Sequence, residues 1–249
     1  MNTLPHLHRA LAILASLVLA TSRTFAGLVT EMAAYTPNLL IPDGSILGAA
    51  DTRIFNSVIT DITNVRVSLN LTGSPSAGDA FNGDLYAYLT HGSGFSVLLN
   101  RPGRTTLNDF GYADSGFNVT FNDALPGADI HNYQLIANPA GGALTGTWGS
   151  DGRDLHPAAV LDTTPRTALL TSFNGLDPNG AWTLFVADVS PLSTARLASW
   201  SLEVTGNSTI PEPATGVFGI FLTALALGAR GKCAARLAPH RQPARGARG

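Results

Sequence analysis

Apolar and polar residues alternate without a break from Val65 to Thr72. Val65, Val67, Leu69 and Leu71 fall on one side, and Arg66, Ser68, Asn70 and Thr72 on the other. A period of two marks a strand with one buried face. The same period places Trp182, Leu184 and Val186 on one face, and Trp200, Leu202 and Val204 on another against Ser201 and Glu203. Further strand candidates are Arg53–Thr60, Asp84–His91, Ser96–Arg101, Phe117–Asn122, Leu144–Gly149 and Thr167–Phe173. Turn-forming clusters separate them: Pro42-Asp43-Gly44, Asn82-Gly83, Arg101-Pro102-Gly103, Ser150-Asp151-Gly152 and Asp177-Pro178-Asn179-Gly180. Sustained helical periodicity and internal repeats are absent from this part of the chain. About nine short strands at such spacing predict an all-β fold, a sandwich or jelly roll.

Composition agrees. Only 13% of the 249 residues are charged, while 26 glycines and 15 prolines supply turns. The stretch from Gly27 to Ile210 is long enough for one domain with a real core. It holds sixteen acidic residues against seven arginines and no lysine, a net of −9. After Glu212 come five arginines and one lysine with no acid. An acidic body argues against nucleic acid as a partner. The single cysteine, Cys233, lies in the basic tail, so no disulfide can brace the body.

Both ends read as addresses. His6, His8 and Arg9 precede the apolar run Ala10–Ala20, and Thr24-Phe25-Ala26 offers small residues at the cleavage positions. This predicts a signal peptide over 1–26, cut after Ala26, and an exported protein. At the other end, Pro211-Glu212-Pro213 precedes sixteen uncharged residues, 214–229, then Arg230, Lys232 and Arg236. That apolar run is short but usable as a membrane span, at a usual lower limit of ~17 residues. The positive charges behind it place that end in the cytoplasm and the acidic body outside. Motif, span and basic cluster in this order resemble the PEP-CTERM sorting signal of Gram-negative bacteria, over residues 210–236. The resemblance implies an exosortase as partner, cleavage near Pro211-Glu212-Pro213, and a place at the cell surface or in an exopolysaccharide (biofilm) matrix. The chain departs from that pattern by running on through a basic extension, 237–249.

The body, 27–209, carries a second resemblance. Asn82-Gly83-Asp84-Leu85 opens a strand that precedes Val97-Leu98-Leu99-Asn100-Arg101-Pro102-Gly103. Later come Gly180-Ala181-Trp182-Thr183-Leu184 and Trp200-Ser201-Leu202. In order and distance these resemble the P domain (Homo B domain) that accompanies subtilisin-like proprotein convertases. The resemblance covers roughly 54–205 and implies a jelly-roll sandwich of eight or nine strands. Arg196 departs from it, standing where many relatives place a small turn residue.

Catalytic chemistry finds little support. The histidines beyond the signal peptide, His91, His131, His156 and His240, sit in no recognisable protease motif and read as exposed loop residues. Neither G-x-S-x-G nor H-E-x-x-H occurs. The aspartates are more suggestive. Asp84, Asp114, Asp123, Asp129, Asp151, Asp154, Asp177 and Asp188 stand in or beside turns, where calcium collects loop oxygens. Asp84, which matches the G-D-L motif, is the first candidate calcium ligand, with Asp114 and Asp188 behind it. The phases of Trp182 and Trp200 put them in the core, whereas Trp148, near Gly146 and Gly149, is the tryptophan expected at the surface. The leading expectation is a non-catalytic exported module of the exopolysaccharide matrix. Two alternatives remain: a calcium-dependent module binding carbohydrate or protein, and an accessory domain beside a subtilisin-like endopeptidase.

Overall fold

The structure is a computed structural model that describes residues 27–73, 80–124 and 127–208. The signal peptide with Ala26, the motif Pro211-Glu212-Pro213, the span 214–229, the cluster Arg230, Lys232 and Arg236, and the extension 237–249 lie outside the described residues. Among the described residues, no helix is long and apolar enough to cross a membrane.

Among the described residues the body has ten strands: β1 (Gly27–Tyr35), β2 (Leu39–Ile41), β3 (Ser45–Phe55), β4 (Ile59–Gly73), β5 (Leu85–His91), β6 (Gly94–Asn100), β7 (Phe117–Phe121), β8 (Leu144–Trp148), β9 (Gly180–Asp188) and β10 (Ala195–Ser208). They form two sheets, as the alternation predicts. One runs β1-β10-β4-β7-β8, with β2 also paired to β10; the other runs β3-β9-β5-β6. Pairing is antiparallel except between β7 and β8. On one edge, β10 takes β1 along Trp200–Ser208 and β2 along Ala195–Leu197. On its other edge it runs along β4, with register shifts after Leu197, Thr205 and Asn207. Each shift is a bulge that raises local twist and lets a long ribbon curl over the core.

The core is where the pattern puts it. Val65, Val67, Leu69 and Leu71 are buried, as are Trp182, Leu184 and Val186, and Trp200, Leu202 and Val204. Leu85, Ala87 and Leu89 of β5 and Phe117, Val119 and Phe121 of β7 complete the facing layers. Each buried tryptophan finds an acceptor: Trp182 Nε1 donates to Pro178 O at 2.8 Å and Trp200 Nε1 to Asp51 Oδ2 at 2.7 Å. Trp148 departs from expectation. It is only 5% exposed and packs against Tyr133, with its Nε1–H directed at Thr145 O. The flanking glycines serve the backbone there, Gly146 having a φ of +100°.

Two strand candidates also differ. Arg53–Thr60 is not one strand: β3 ends at Phe55 and β4 begins at Ile59. The corner is held by Asn179 Oδ1, which accepts from Ser57 N at 2.7 Å, and by Ser57 Oγ, which accepts from Ile59 N. Thr167–Phe173 is not a strand either; Leu170–Phe173 winds into a 3₁₀ turn. The Asp123 carboxylate captures the Leu170 N–H, so the segment bonds to a side chain where a strand would bond to a neighbour. Strands β1, β2 and most of β3 carry no clean alternation, and pairing alone defines them.

Leu69 faces the core and is 1% exposed. Leu69→Ala is expected to lower stability by ~2–5 kcal/mol, through lost transfer energy plus a residual cavity. Urea unfolding should show a lower midpoint at an unchanged m-value.

Candidate functional site

At one end of the sandwich the chain turns three times in a small space. Pro42–Gly44 joins β2 to β3, Asn82–Asp84 forms a 3₁₀ turn into β5, and Val189–Thr194 joins β9 to β10. The first and last turns touch, since a side chain at Gly44 would meet Pro191 at 3.4 Å. The Asn82–Asp84 turn has no slack: a Cβ on Gly83 would lie 2.0 Å from Phe110 O, which explains the glycine of the G-D-L sequence. Val189 N donates to Asp84 O at 2.9 Å and Leu192 N to the Asp43 carboxylate at 3.2 Å.

These turns gather Asp43, Asp84 and Asp188. Asp188 ends β9, in register with Ser45 on one side and Leu85 on the other. It is fully buried, and neither carboxylate oxygen has a partner in hydrogen-bond geometry. The Ser190 N–H lies near enough to favour its charge but does not meet that geometry. Burial, then the charge of Asp84 and more weakly that of Asp43, push the Asp188 carboxyl up to about 7. Asp84 is 7% exposed and is also raised, chiefly by burial and further by Asp43, against the pull of the Ser190 hydroxyl and Arg101. Arg101 is a weak partner: its Nη2 stands 4.0 Å from Asp84 Oδ1, while its Nε and Nη2 donate to Gly83 O and Asp109 O. Among the described residues, no group of three His, Cys, Asp or Glu side chains is arranged as a ready metal cage.

Asp114 does not join this pair. Its carboxylate accepts from Tyr133 Oη at 2.7 Å, Gln134 Nε2 at 2.6 Å and Gly141 N at 2.9 Å. It ties the 3₁₀ segment Ile130–Leu135 to the loop before β8.

The aspartates of the long loops form a second, fully satisfied network. Asp151, wholly buried, accepts from His131 Nδ1 at 2.9 Å and pairs with Arg153 Nη1 at 3.2 Å. Arg153 also donates to Asp129 at 2.8 Å. Asp123 accepts from Ser150 N and Oγ. Burial works against the Asp129 charge, but the hydrogen bond and charge of Arg153, the charge of Arg166 and the His131 N–H outweigh it and hold its carboxyl below the usual range. His131 and Asp151 have the spacing of a catalytic dyad, but the ring is closed off. His131 is 0% exposed and its Nε2 faces Arg104 O at 3.0 Å. His91 likewise sits between Ala181 O and Asp177 O, stacked on Trp182 at 4.2 Å. Both histidines are therefore buried in the structure, contrary to the loop positions expected of them; His156 is exposed. Among the described residues, no histidine ring contacts a serine hydroxyl.

A third feature lies outside the core. The outer face of the four-stranded sheet bears a row of rings: Phe95, Tyr88 and Phe185 on three adjacent strands, with Tyr86 beside them. Centroids are 5.4 Å apart for Tyr88–Phe95, 4.7 Å for Tyr88–Phe185 and 5.8 Å for Tyr86–Tyr88. All four are half-buried. Phe185 has room because β3 bulges at Gly48, where a Cβ would meet its ring at 2.6 Å. Thr52 and Thr183 pair their hydroxyls at 2.8 Å on the same face. Tyr86, Tyr88 and Phe185 stand in the outward phase of β5 and β9, and Phe95 in that of β6, so the alternation that marks the core marks these rings as its opposite face.

No protein-family profile matches the chain, and no curated protein is significantly similar to it. Two solved structures are similar at a low level. The serine protease of Aeromonas sobria in complex with its chaperone is 17% identical at a TM-score of 0.41, and the same protease alone is 18% identical at 0.39. Each match covers 80% of this chain and 30% of that one.

Asp129→Asn is expected to destabilise the body by ~2–4 kcal/mol at neutral pH, because the buried Arg153 guanidinium loses one of its two counter-charges, the half-buried Asp129. The native carboxyl lies below its ordinary 3.8, so this contribution is complete above that value and fades as pH falls through the lower native one. Unfolding midpoints of parent and variant should therefore converge as pH drops below about 4.

Proposed function

We propose that this chain is an exported, non-catalytic β-sandwich module, sorted by an exosortase-type system and active in the exopolysaccharide matrix. The observation that carries the reading is the C-terminal order of Pro211-Glu212-Pro213, an uncharged run and a basic cluster, behind an N-terminal apolar leader. The body adds support by its chemistry: its two buried histidines have both ring nitrogens engaged, and its strongly acidic balance suits the far side of the membrane from a basic tail. A jelly roll of the P-domain type is the finer reading of the sandwich, supported by Gly83-Asp84 leading into Leu85 of β5 and by the two W-x-L sequences falling on β9 and β10. Mass spectrometry of the protein from cells and medium tests the sorting. The mature form should lack residues 1–26 and end near Ile210–Pro213. An intact tail recovered only from the inner membrane would point to a plain anchor instead.

The row of Tyr86, Tyr88, Phe95 and Phe185 favours a second reading, a carbohydrate-binding module. Aromatic rings offer C–H-stacking surfaces for sugars, and the neighbouring tyrosine and threonine hydroxyls offer hydrogen bonds. The strand residues of this face carry no charge, which suits a neutral glycan. In native gels cast with hydroxyethyl cellulose or dextran, the protein should be retarded. Tyr88→Ala should abolish at least about 1 kcal/mol of that binding, the scale of one aromatic contact, while leaving the circular dichroism spectrum unchanged.

A further inference from the structure

The strongest remaining feature of the body is a buried carboxylate, Asp188, whose oxygens have no partner in hydrogen-bond geometry. Asp151, Asp114, Asp123 and Asp129 each accept hydrogen bonds from named donors. Asp188 is more buried than Asp114 or Asp129, and both its oxygens lack a partner. Burying an ionised carboxylate without a counter-charge is among the costliest arrangements a fold can contain. Nor is the acid form satisfied, since its hydroxyl would still need an acceptor and its carbonyl oxygen a donor. A second nearly buried carboxylate, Asp84, is close enough for its charge to act on Asp188, and Asp43 of the β2–β3 turn, which accepts from Leu192 N, acts on both more weakly. Among the described residues Asp188 forms no ion pair, and Arg101, the nearest cation to Asp84, already serves two backbone carbonyls.

We infer that Asp188 and Asp84 hold a divalent cation, calcium by its chemistry, with Asp43, Ser190 and the carbonyls of the three turns available to complete its oxygen shell. The site needs no third carboxylate in contact, because calcium fills six to eight positions with carbonyls, hydroxyls and water as readily as with carboxylates. The donors are all oxygen, which disfavours zinc. They come from three irregular turns, which suits the flexible coordination of calcium better than the strict octahedron of magnesium. The cation would cancel the repulsion between Asp84 and Asp188 and cross-link β2–β3, β5 and β9–β10 at their meeting point. A body with no disulfide gains from such a clip. The inference goes beyond the sorting reading and does not depend on it, since it concerns only how one end of the sandwich is held.

The test is thermal unfolding of the purified full-length chain in detergent, with chelator, with calcium and with magnesium. Affinity in the range of extracellular calcium modules, about 10⁻⁴–10⁻³ M, is expected. At tenfold excess over that constant the midpoint should rise by about 3–5 °C for a body of this size. Asp188→Asn keeps the shape and removes the charge. In chelator it should unfold at or above the temperature of the parent, and it should not respond to calcium. Asp84→Asn should keep the fold and weaken the calcium response at least about tenfold in half-saturating concentration. A parent that ignores millimolar calcium overturns the inference. So does an Asp188→Asn variant that keeps the full response, because the ion then binds elsewhere. An equal response to magnesium overturns the choice of calcium.

Discussion

Fourteen residues of β10 lie antiparallel against the fifteen of β4, and both layers depend on that ribbon. It brings Leu202 opposite Val67, Val204 opposite Val65 and Trp200 opposite Leu69, so the inward phase of each strand is locked to the other. Slippage by one residue would turn every one of these side chains to solvent, which makes the register hard to lose. The second sheet then closes over the apolar face so formed, with Trp182, Leu184 and Val186 as its central strip. Strands β1 and β2 pair with the remaining edge of β10, so the long ribbon is internal and β1 becomes the edge of the sheet.

Between the strands, polar groups play the part that disulfides play in many small domains. Each long loop is held by one carboxylate with several donors: Asp114 by Tyr133, Gln134 and Gly141; Asp123 by Ser150 and Leu170; Asp151 by His131, Arg153 and Asn100. Such networks stabilise only when complete, because a buried charge that loses its partner costs more than the pair contributed. Asp188 is the exception that makes the rule informative. The three loop carboxylates are closed by protein donors, whereas both oxygens of Asp188 lack a partner in hydrogen-bond geometry.

The sequence made the core legible because period-two alternation is a direct image of a half-buried strand. β4, β9 and β10 follow from it with their inward residues. β1 and β3 were not legible. Gly48-Ala49-Ala50-Asp51 has poor strand propensity and is extended because β9 pairs with it, a tertiary effect no local window contains. Trp148 and the two buried histidines misled for the same reason. Glycine neighbours and polar character suggest exposure, whereas burial here is set by partners far along the chain: Tyr133 for Trp148, Asp151 and Arg104 for His131, Asp177 and Ala181 for His91. Of the three candidate calcium ligands, Asp84 and Asp188 meet and Asp114 does not. Turn position alone cannot separate them, because the same residue type serves a loop clamp and a cation shell equally well.

The topology relates these features to one another. Gly27 pairs with Ser208, and Ser208 with Ile59, so the first and last strands of the body begin and end at one pole of the sandwich. The short corner from Phe55 to Ile59 fixes the adjoining ends of β3 and β9 at that same pole. Asp188 lies at the far end of β9, beside Ser45 and Leu85, and the loop from it to Ala195 crosses between the sheets at the opposite pole. Ser208, the end of β10, therefore lies at the pole opposite the carboxylate cluster. The aromatic row lies on a third surface, the outer flank of the four-stranded sheet. The two poles and the aromatic flank are thus three separate surfaces of one sandwich, set apart by the strand order itself.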